Sequence, residues 1–352
     1  MLAAWRDPSL FQKPYVALLL MPTGIGCSVG GYAGDGLPIA RALAAAVDIL
    51  ITHPNVLNGA SLFWPLPNTL YVEGYGLDQF CQGAWGLRRV RQNRLGVVVD
   101  SAIEADLWLR QQQVIQAAQA TLGLTIHACQ TTDQPLQISL GQAPSGASYG
   151  RLQHPSSLLG AARQLVAGGC EALALVARFP DDLDFTDYQQ AAGVDPLAGV
   201  EAILSHLVVR ELGIPAAHAP VLRVSDPPTP VHPRAAAEEV GFTFLPSVLA
   251  GLSYAPQFVL PHQLSLPTDL QAGHIDVVVA PATAFGSPGL LALVNRSNPP
   301  LLMAVEENTT TMRVHPADLG IPFQWVRSYW EVIGRIVAHR AGISFWDDAS
   351  LS

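Results

Sequence analysis

At 352 residues, with 49% apolar and 13% charged side chains and a mean hydropathy of +0.27, the chain is long and greasy enough for one large α/β domain or two lobes. Its best apolar run, 15–21, is strand-sized and far short of the roughly 18 to 20 residues of a membrane helix, so the excess predicts an extensive buried sheet and a homo-oligomer interface. A net charge of −9 and a single lysine, Lys13, argue against a broad nucleic-acid surface, and a lysine placed ahead of the first strand argues against Schiff-base or Walker-type chemistry.

In chain order, short β-branched or leucine-rich runs predict strands over 15–21, 48–52, 69–73, 95–100, 124–129, 172–177, 275–280 and 301–305. Helix-like segments fall between or after them, at 37–46, 103–119, 156–167, 197–212, 246–252, 289–295 and 328–341. Strands that are apolar throughout, alternating with helices, predict an α/β fold: a mostly parallel sheet flanked by helices, in two lobes with a cleft at the strand C-termini. The turn-rich stretch 142–150 marks the expected boundary, giving an N-terminal lobe over 1–150 and a C-terminal lobe over 151–352, with one composite domain as the alternative. The stretch 225–233 carries four prolines and reads as a surface crossover. One internal echo stands out. VDILITHPNVLNGAS at 47–61 resembles IDVVVAPATAFGSPG at 275–289: an acid, an apolar strand, then a proline and small residues. Either all parallel strands look this way, or the two strands end at one sheet edge with their loops facing one cleft.

In open α/β sheets ligands bind beyond the carboxyl ends of the strands, so the residues after each strand are the candidates. After the first comes a loop with Gly24, Gly26, Gly30 and Gly31, which reads either as an anion-binding nest or as a flexible surface loop. It lacks the Gly-Lys-Ser/Thr of a P-loop, and Val29 stands where a Rossmann fingerprint needs its third glycine. Asp35 fits a helix cap better than a catalyst. Cys27 in the same loop reads as a small buried residue. After the second strand, His53 is a natural acid or base, and Asn55 and Asn58 can each donate and accept. The same residues also suit a plain strand-terminating turn.

Glu73 ends the third run as a candidate carboxylate partner. Ser287 sits where an N-cap belongs, at a helix start that could hold an anion. The run at 301–305 passes abruptly into Glu307, Asn308 and Thr309, with Glu307 as a second carboxylate candidate. The GxSxG text at 146–150 lacks the apolar strand that a nucleophile elbow needs, and a surface loop is the better reading. No spacing suggests a metal site. Four scattered cysteines without a CxxC pair predict free thiols in a cytoplasmic, reducing compartment.

The motifs GYAGDGLPIARALAAAVDILITHPNVLNGA, LYVEGYGLDQFCQG and PPLLMAVEENTTTM resemble a cyanobacterial and plastid-type family described as a domain of unknown function. The resemblance spans most of the chain. It implies a protein of photosynthetic lineages, cytoplasmic or stromal, and carries over no activity and no residue roles. The residues themselves predict an enzyme acting on a small, polar, anionic metabolite. His53 would be acid or base and Glu73 or Glu307 its carboxylate partner. Gly24, Gly26, Gly30, Gly31, Asp35, Asn55, Asn58, Ser287, Asn308 and Thr309 would hold the ligand. Two alternatives stay open: a non-catalytic ligand-binding or assembly protein, and a nucleotide-sugar or dinucleotide enzyme with its pyrophosphate on the glycine loop. The cofactor is unknown.

Overall fold

The computed structural model describes residues 13–223, 231–241 and 244–343. Most of the proline-rich stretch, 225–230, lies outside them. Among the described residues the strands are β1 (Val16–Leu19), β2 (Ile49–Thr52), β3 (Thr69–Tyr71), β4 (Gly86–Arg88), β5 (Leu95–Val99), β6 (Ile126–Thr131), β7 (Ile138–Gln142), β8 (Ser148–Leu152), β9 (Ala172–Arg178), β10 (Ala216–Val221), β11 (Gln257–Val259), β12 (Ile275–Pro281), β13 (Leu301–Val305) and β14 (Gln324–Val326). The α-helices are α1 (Leu37–Ala46), α2 (Pro54–Leu57), α3 (Gly74–Cys81), α4 (Ala105–Leu122), α5 (Pro155–Ala167), α6 (Thr186–Gln189), α7 (Ala198–Leu212), α8 (Leu245–Tyr254), α9 (Pro288–Val294) and α10 (Tyr329–Arg340). All eight apolar runs read as strands are strands, and all seven segments read as helices are helices. The short elements β4, β7, β8, β10, β11, β14, α2, α3 and α6 went unread because three to eight residues show little periodicity.

Two parallel sheets carry the fold. The larger has the order β14-β13-β12-β1-β2-β3, and the smaller β10-β9-β5-β6. Every pairing within them is parallel. The apolar text explains why. On β1, Val16 and Leu18 pack into one hydrophobic cluster while Ala17 and Leu19 pack into another, so both faces of the sheet are covered. A cut at residue 150 would pass through the antiparallel β7–β8 hairpin and leave strands of both parallel sheets on each side. One apolar cluster joins Leu19, Leu50 and Val277 of the larger sheet to Val97, Ala174 and Val176 of the smaller. The helix α8 fills the space between, with Leu245, Val248, Leu249 and Leu252 all buried, as a helix apolar around its circumference must be.

The internal echo has a physical basis. β2 and β12 flank β1 on either side, both parallel to it. Their opening acids serve β1 alike: Asp48 accepts from Tyr15 N at 2.8 Å, and Asp276 from Val16 N at 2.8 Å. These two backbone groups at the entry to a buried strand would otherwise lack partners. The strand order therefore reverses direction at β1, and the loops after β1, β2 and β12 open at one edge.

Candidate functional site

A cavity of about 300 Å³ lies at that edge. The larger sheet supplies Pro22 and Thr23 after β1, His53, Asn55 and Asn58 after β2, Glu73 after β3, and Ala284 and Ser287 after β12. The opposite wall comes from α7, with Glu201, Ser205 and His206, from His218 on β10, and from the segments carrying Tyr188, Asp195 and Glu238.

Glu73 is the centre of the site. It occupies the N-cap of α3 and is 4% exposed. Its Oε2 accepts from Tyr75 N at 2.9 Å and Gly76 N at 3.2 Å, which satisfies the helix start. That leaves Oε1 to face His206, whose Nε2 stands 2.9 Å away on α7, off the line of an ideal hydrogen bond. Burial pulls the His206 imidazole down, but contact with Glu73 and the charges of Glu73 and Asp78 outweigh it and raise the pKa above its ordinary value. Asp78, one turn along α3, accepts from Gly289 N at 2.9 Å; burial raises its carboxyl.

The other two histidines are of the opposite kind. His53 accepts from Met21 N at 2.9 Å through Nε2, and burial lowers its pKa to about 4. Burial, aided by the charge of His206, lowers His218 to about 4 as well. His218 Nδ1 is 3.3 Å from Ser205 Oγ, and its Nε2 is 3.6 Å from Glu201. Ser205 also bonds back to the carbonyls of Glu201 and Ala202, so it is a helix serine held by its own turn.

Asp195, Glu201 and Glu238 form a carboxyl cluster. Burial raises Asp195 to about 6, against bonds from the backbone N–H groups of Leu197 and Ala198. Burial and then the charge of Asp195 raise Glu238 to about 8. Glu201 is raised well above its ordinary value by burial and by the charges of both neighbours. Glu238 accepts a short bond from the Tyr188 hydroxyl, and Tyr32 stacks on Tyr188 with centroids 4.3 Å apart. Phe185 and Phe244 line the same wall; Phe244 has φ +53°, a left-handed backbone that an aromatic residue rarely adopts.

Of the residues expected from sequence, His53, Glu73, Asn55, Asn58 and Ser287 line this cavity. The others are elsewhere, and their bonds say why. Three amides of the glycine loop are spent within the protein: Ser28 N bonds Thr309 O at 2.9 Å, Val29 N bonds Asn308 Oδ1 at 3.0 Å, and Gly34 N bonds Asn55 O at 2.9 Å. Gly24 receives Ser148 N at its carbonyl, Gly26 packs against Val194, Gly30 accepts from Asn55 Nδ2, and Gly31 faces the Cys27 carbonyl. Asp35 pairs with Arg234 at 3.0 Å. Cys27 is buried and donates to Pro22 O, with burial raising its thiol to about 12. Glu307 is exposed and accepts from Tyr329 N at 2.7 Å at the start of α10. Asn308 is fully buried, bonded to both backbone groups of Val29 and to the Tyr329 hydroxyl. Thr309 bonds Ser28. The α9 start is filled too, since Leu290 N goes to Ser287 Oγ and Gly289 N to Asp78. In the GxSxG text, Ser148 sits on a hairpin strand, where its Oγ accepts from Gly199 N at 3.1 Å.

The opposite wall was missed. Its signals were a glutamate and a serine four apart on the buried stripe of α7, and a histidine inside the apolar run AAHAPV. Asp195 and Glu238 carry no comparable mark.

Fold and site together define an α/β protein of two parallel sheets with a histidine- and carboxylate-lined cavity at the strand ends. The chain belongs to the family described as protein of unknown function DUF3326, whose model matches residues 16–347. A protein of Synechococcus sp. described as an uncharacterized lipoprotein is 52% identical over 346 residues, covering 97% of this chain and 95% of its own length. Among the described residues no helix is long and apolar enough to cross a membrane.

Proposed function

We propose that the protein is an enzyme acting on a small polar metabolite, with His206 as the proton-transferring residue and Glu73 as the carboxylate that charges and orients it. The observation that carries this reading is the 2.9 Å contact between His206 and a glutamate that is 4% exposed, inside a cavity at the edge where an α/β sheet meets its ligand. Near neutral pH a histidine with a raised pKa is a ready general acid, and proton loss turns it into the matching base. His53, with Nε2 committed to a backbone N–H, suits binding better than proton transfer. Five carboxyls line the cavity (Glu73, Asp78, Asp195, Glu201 and Glu238) and neither lysine nor arginine does, so the lining disfavours a purely anionic ligand.

The test is a thermal-shift screen of the full chain against a metabolite panel, followed by NMR of each mixture that raises the wild-type midpoint. A stabilising compound should be consumed by wild type, and His206→Gln should bind it while losing at least a hundredfold in turnover. Undiminished turnover in His206→Gln contradicts the assignment. A second reading is a ligand-binding protein held at a membrane surface, favoured by the description of the Synechococcus relative as a lipoprotein. Free Cys27, Cys81, Cys129 and Cys170 favour instead a reducing, cytoplasmic setting. Binding without turnover in wild type, together with recovery in the membrane fraction, would select the second reading.

A further inference from the structure

The two walls of the cavity ask for different chemistry. On the wall after β2, His53 Nε2 accepts from Met21 N–H, so the neutral ring must carry its proton on Nδ1. That N–H has no partner among the described residues. Asn58 is 8% exposed; its Oδ1 is taken by the Tyr71 hydroxyl at 3.0 Å, and its Nδ2 is likewise without a partner among the described residues. Both residues line the cavity, and each keeps one donor that no other described residue takes up. The facing wall holds Asp195, Glu201 and Glu238 beside the rings of Phe185, Tyr188 and Phe244. Carboxyls next to aromatic faces are the surroundings that bind an organic ammonium group.

Building on the proposed function, we infer that the ligand is a small zwitterion of amino-acid type. Its carboxylate faces the wall of His53 and Asn58, and its ammonium group the wall that holds Asp195, Glu201 and Glu238. A simple anion would make no use of the carboxyls on the facing wall, and the lining holds neither lysine nor arginine. A simple amine would leave the two donors unpaired. A bare divalent cation lacks its cage, because no three His, Cys, Asp or Glu side chains among the described residues converge as metal ligands. Size points the same way. A cavity of about 300 Å³ sits at the low end of the roughly 300–1,000 Å³ typical of ligand pockets, which suits a free amino acid and not a nucleotide. The raised carboxyls of the cluster fit this assignment, since an incoming ammonium favours their ionised form and should drive proton release.

Titration calorimetry on the full chain tests the inference without requiring turnover. The probes are L-alanine, L-serine, L-leucine and 4-aminobutyrate, each run beside the amine and the carboxylic acid that lack one of its charges (ethylamine and propionate for alanine). At least one zwitterion should bind about tenfold or more tightly than both of its single-charge analogues, with protons released on binding. Asp195→Asn should weaken that zwitterion about tenfold and leave its acid analogue unchanged. If Asp195→Asn does not fold, Glu201→Gln serves in its place. Equal or tighter binding of an amine or an acid, or competition by Mg²⁺ or Ca²⁺, overturns the inference and leaves the acid–base reading standing. A zwitterion that binds as expected but is turned over equally by His206→Gln leaves the inference standing and removes the acid–base reading. Absence of binding by every probe overturns the inference.

Discussion

The polar run after β2 and the polar run after β13 look alike in sequence, yet only one belongs to the cavity. Both follow a buried strand of the same sheet, and each offers an asparagine within a few residues. After β13, Asn308 ties Val29 to Tyr329, Glu307 caps the backbone of α10, and Thr309 holds Ser28. After β2, His53 and Asn58 line the cavity, and one nitrogen of each has no partner among the described residues. The difference between the two runs lies in what their side chains meet in the fold, which the chain does not display in one dimension.

The comparison is broken most forcefully at Asn308. Asn308→Ala should strip partners from three groups, one buried and two half-buried, and cost about 3–5 kcal/mol in urea unfolding, with no direct contact to the cavity. A loss under 1 kcal/mol would mean that the run is not the fastening described. Gly34→Ala comes next. Its φ is +88°, and an added Cβ would stand 2.5 Å from the Asn58 carbonyl oxygen, so the substitution should cost about 2–3 kcal/mol and disturb the cavity wall with it. Unchanged stability would contradict the packed-connector account of the glycine loop.

A third change sharpens the comparison through pH. A carboxyl whose folded pKa is raised gives stability that is fully present below its unfolded pKa and lost as pH climbs through the folded one. For Glu238 that window runs from its ordinary value of 4.5 to about 8. Glu238→Gln should therefore gain on wild type in Tm as pH rises from 5 to 8, and a constant difference would contradict the raised carboxyl. His53 and His218 work in the other direction, giving stability above pH 6.5 that is lost as pH falls through about 4. The smallest effect belongs to Ser287→Ala, which removes the N-cap of α9 and should cost about 1 kcal/mol by thermal unfolding.

The sequence carried the frame of the molecule well because buried parallel strands are apolar on both faces, and runs such as 275–280 and 301–305 cannot be much else. Even the faint echo between 47–61 and 275–289 proved informative, since Asp48 and Asp276 serve neighbouring amides of β1 and both following loops reach the cavity. Half of the site was legible by the same logic: strand ends point to ligands, and His53, Asn55, Asn58, Glu73 and Ser287 lie at strand ends. The other half comes from α7, β10 and the segments around Asp195 and Glu238, far away in the chain. His206 matters because Glu73 faces it across 133 positions, a relation that neither spacing nor composition encodes. The carboxyls that line the facing wall went unread for the same reason, while the glycine loop pointed to an anion.

The central claim is that Glu73 charges His206. An NMR pH titration of the histidine rings in wild type and Glu73→Gln tests it most directly. The account predicts that His206 titrates above 6.5 in wild type and clearly lower in Glu73→Gln, while His53 and His218 stay near 4. A His206 that titrates at or below 6.5 in wild type, unmoved by the substitution, would contradict it.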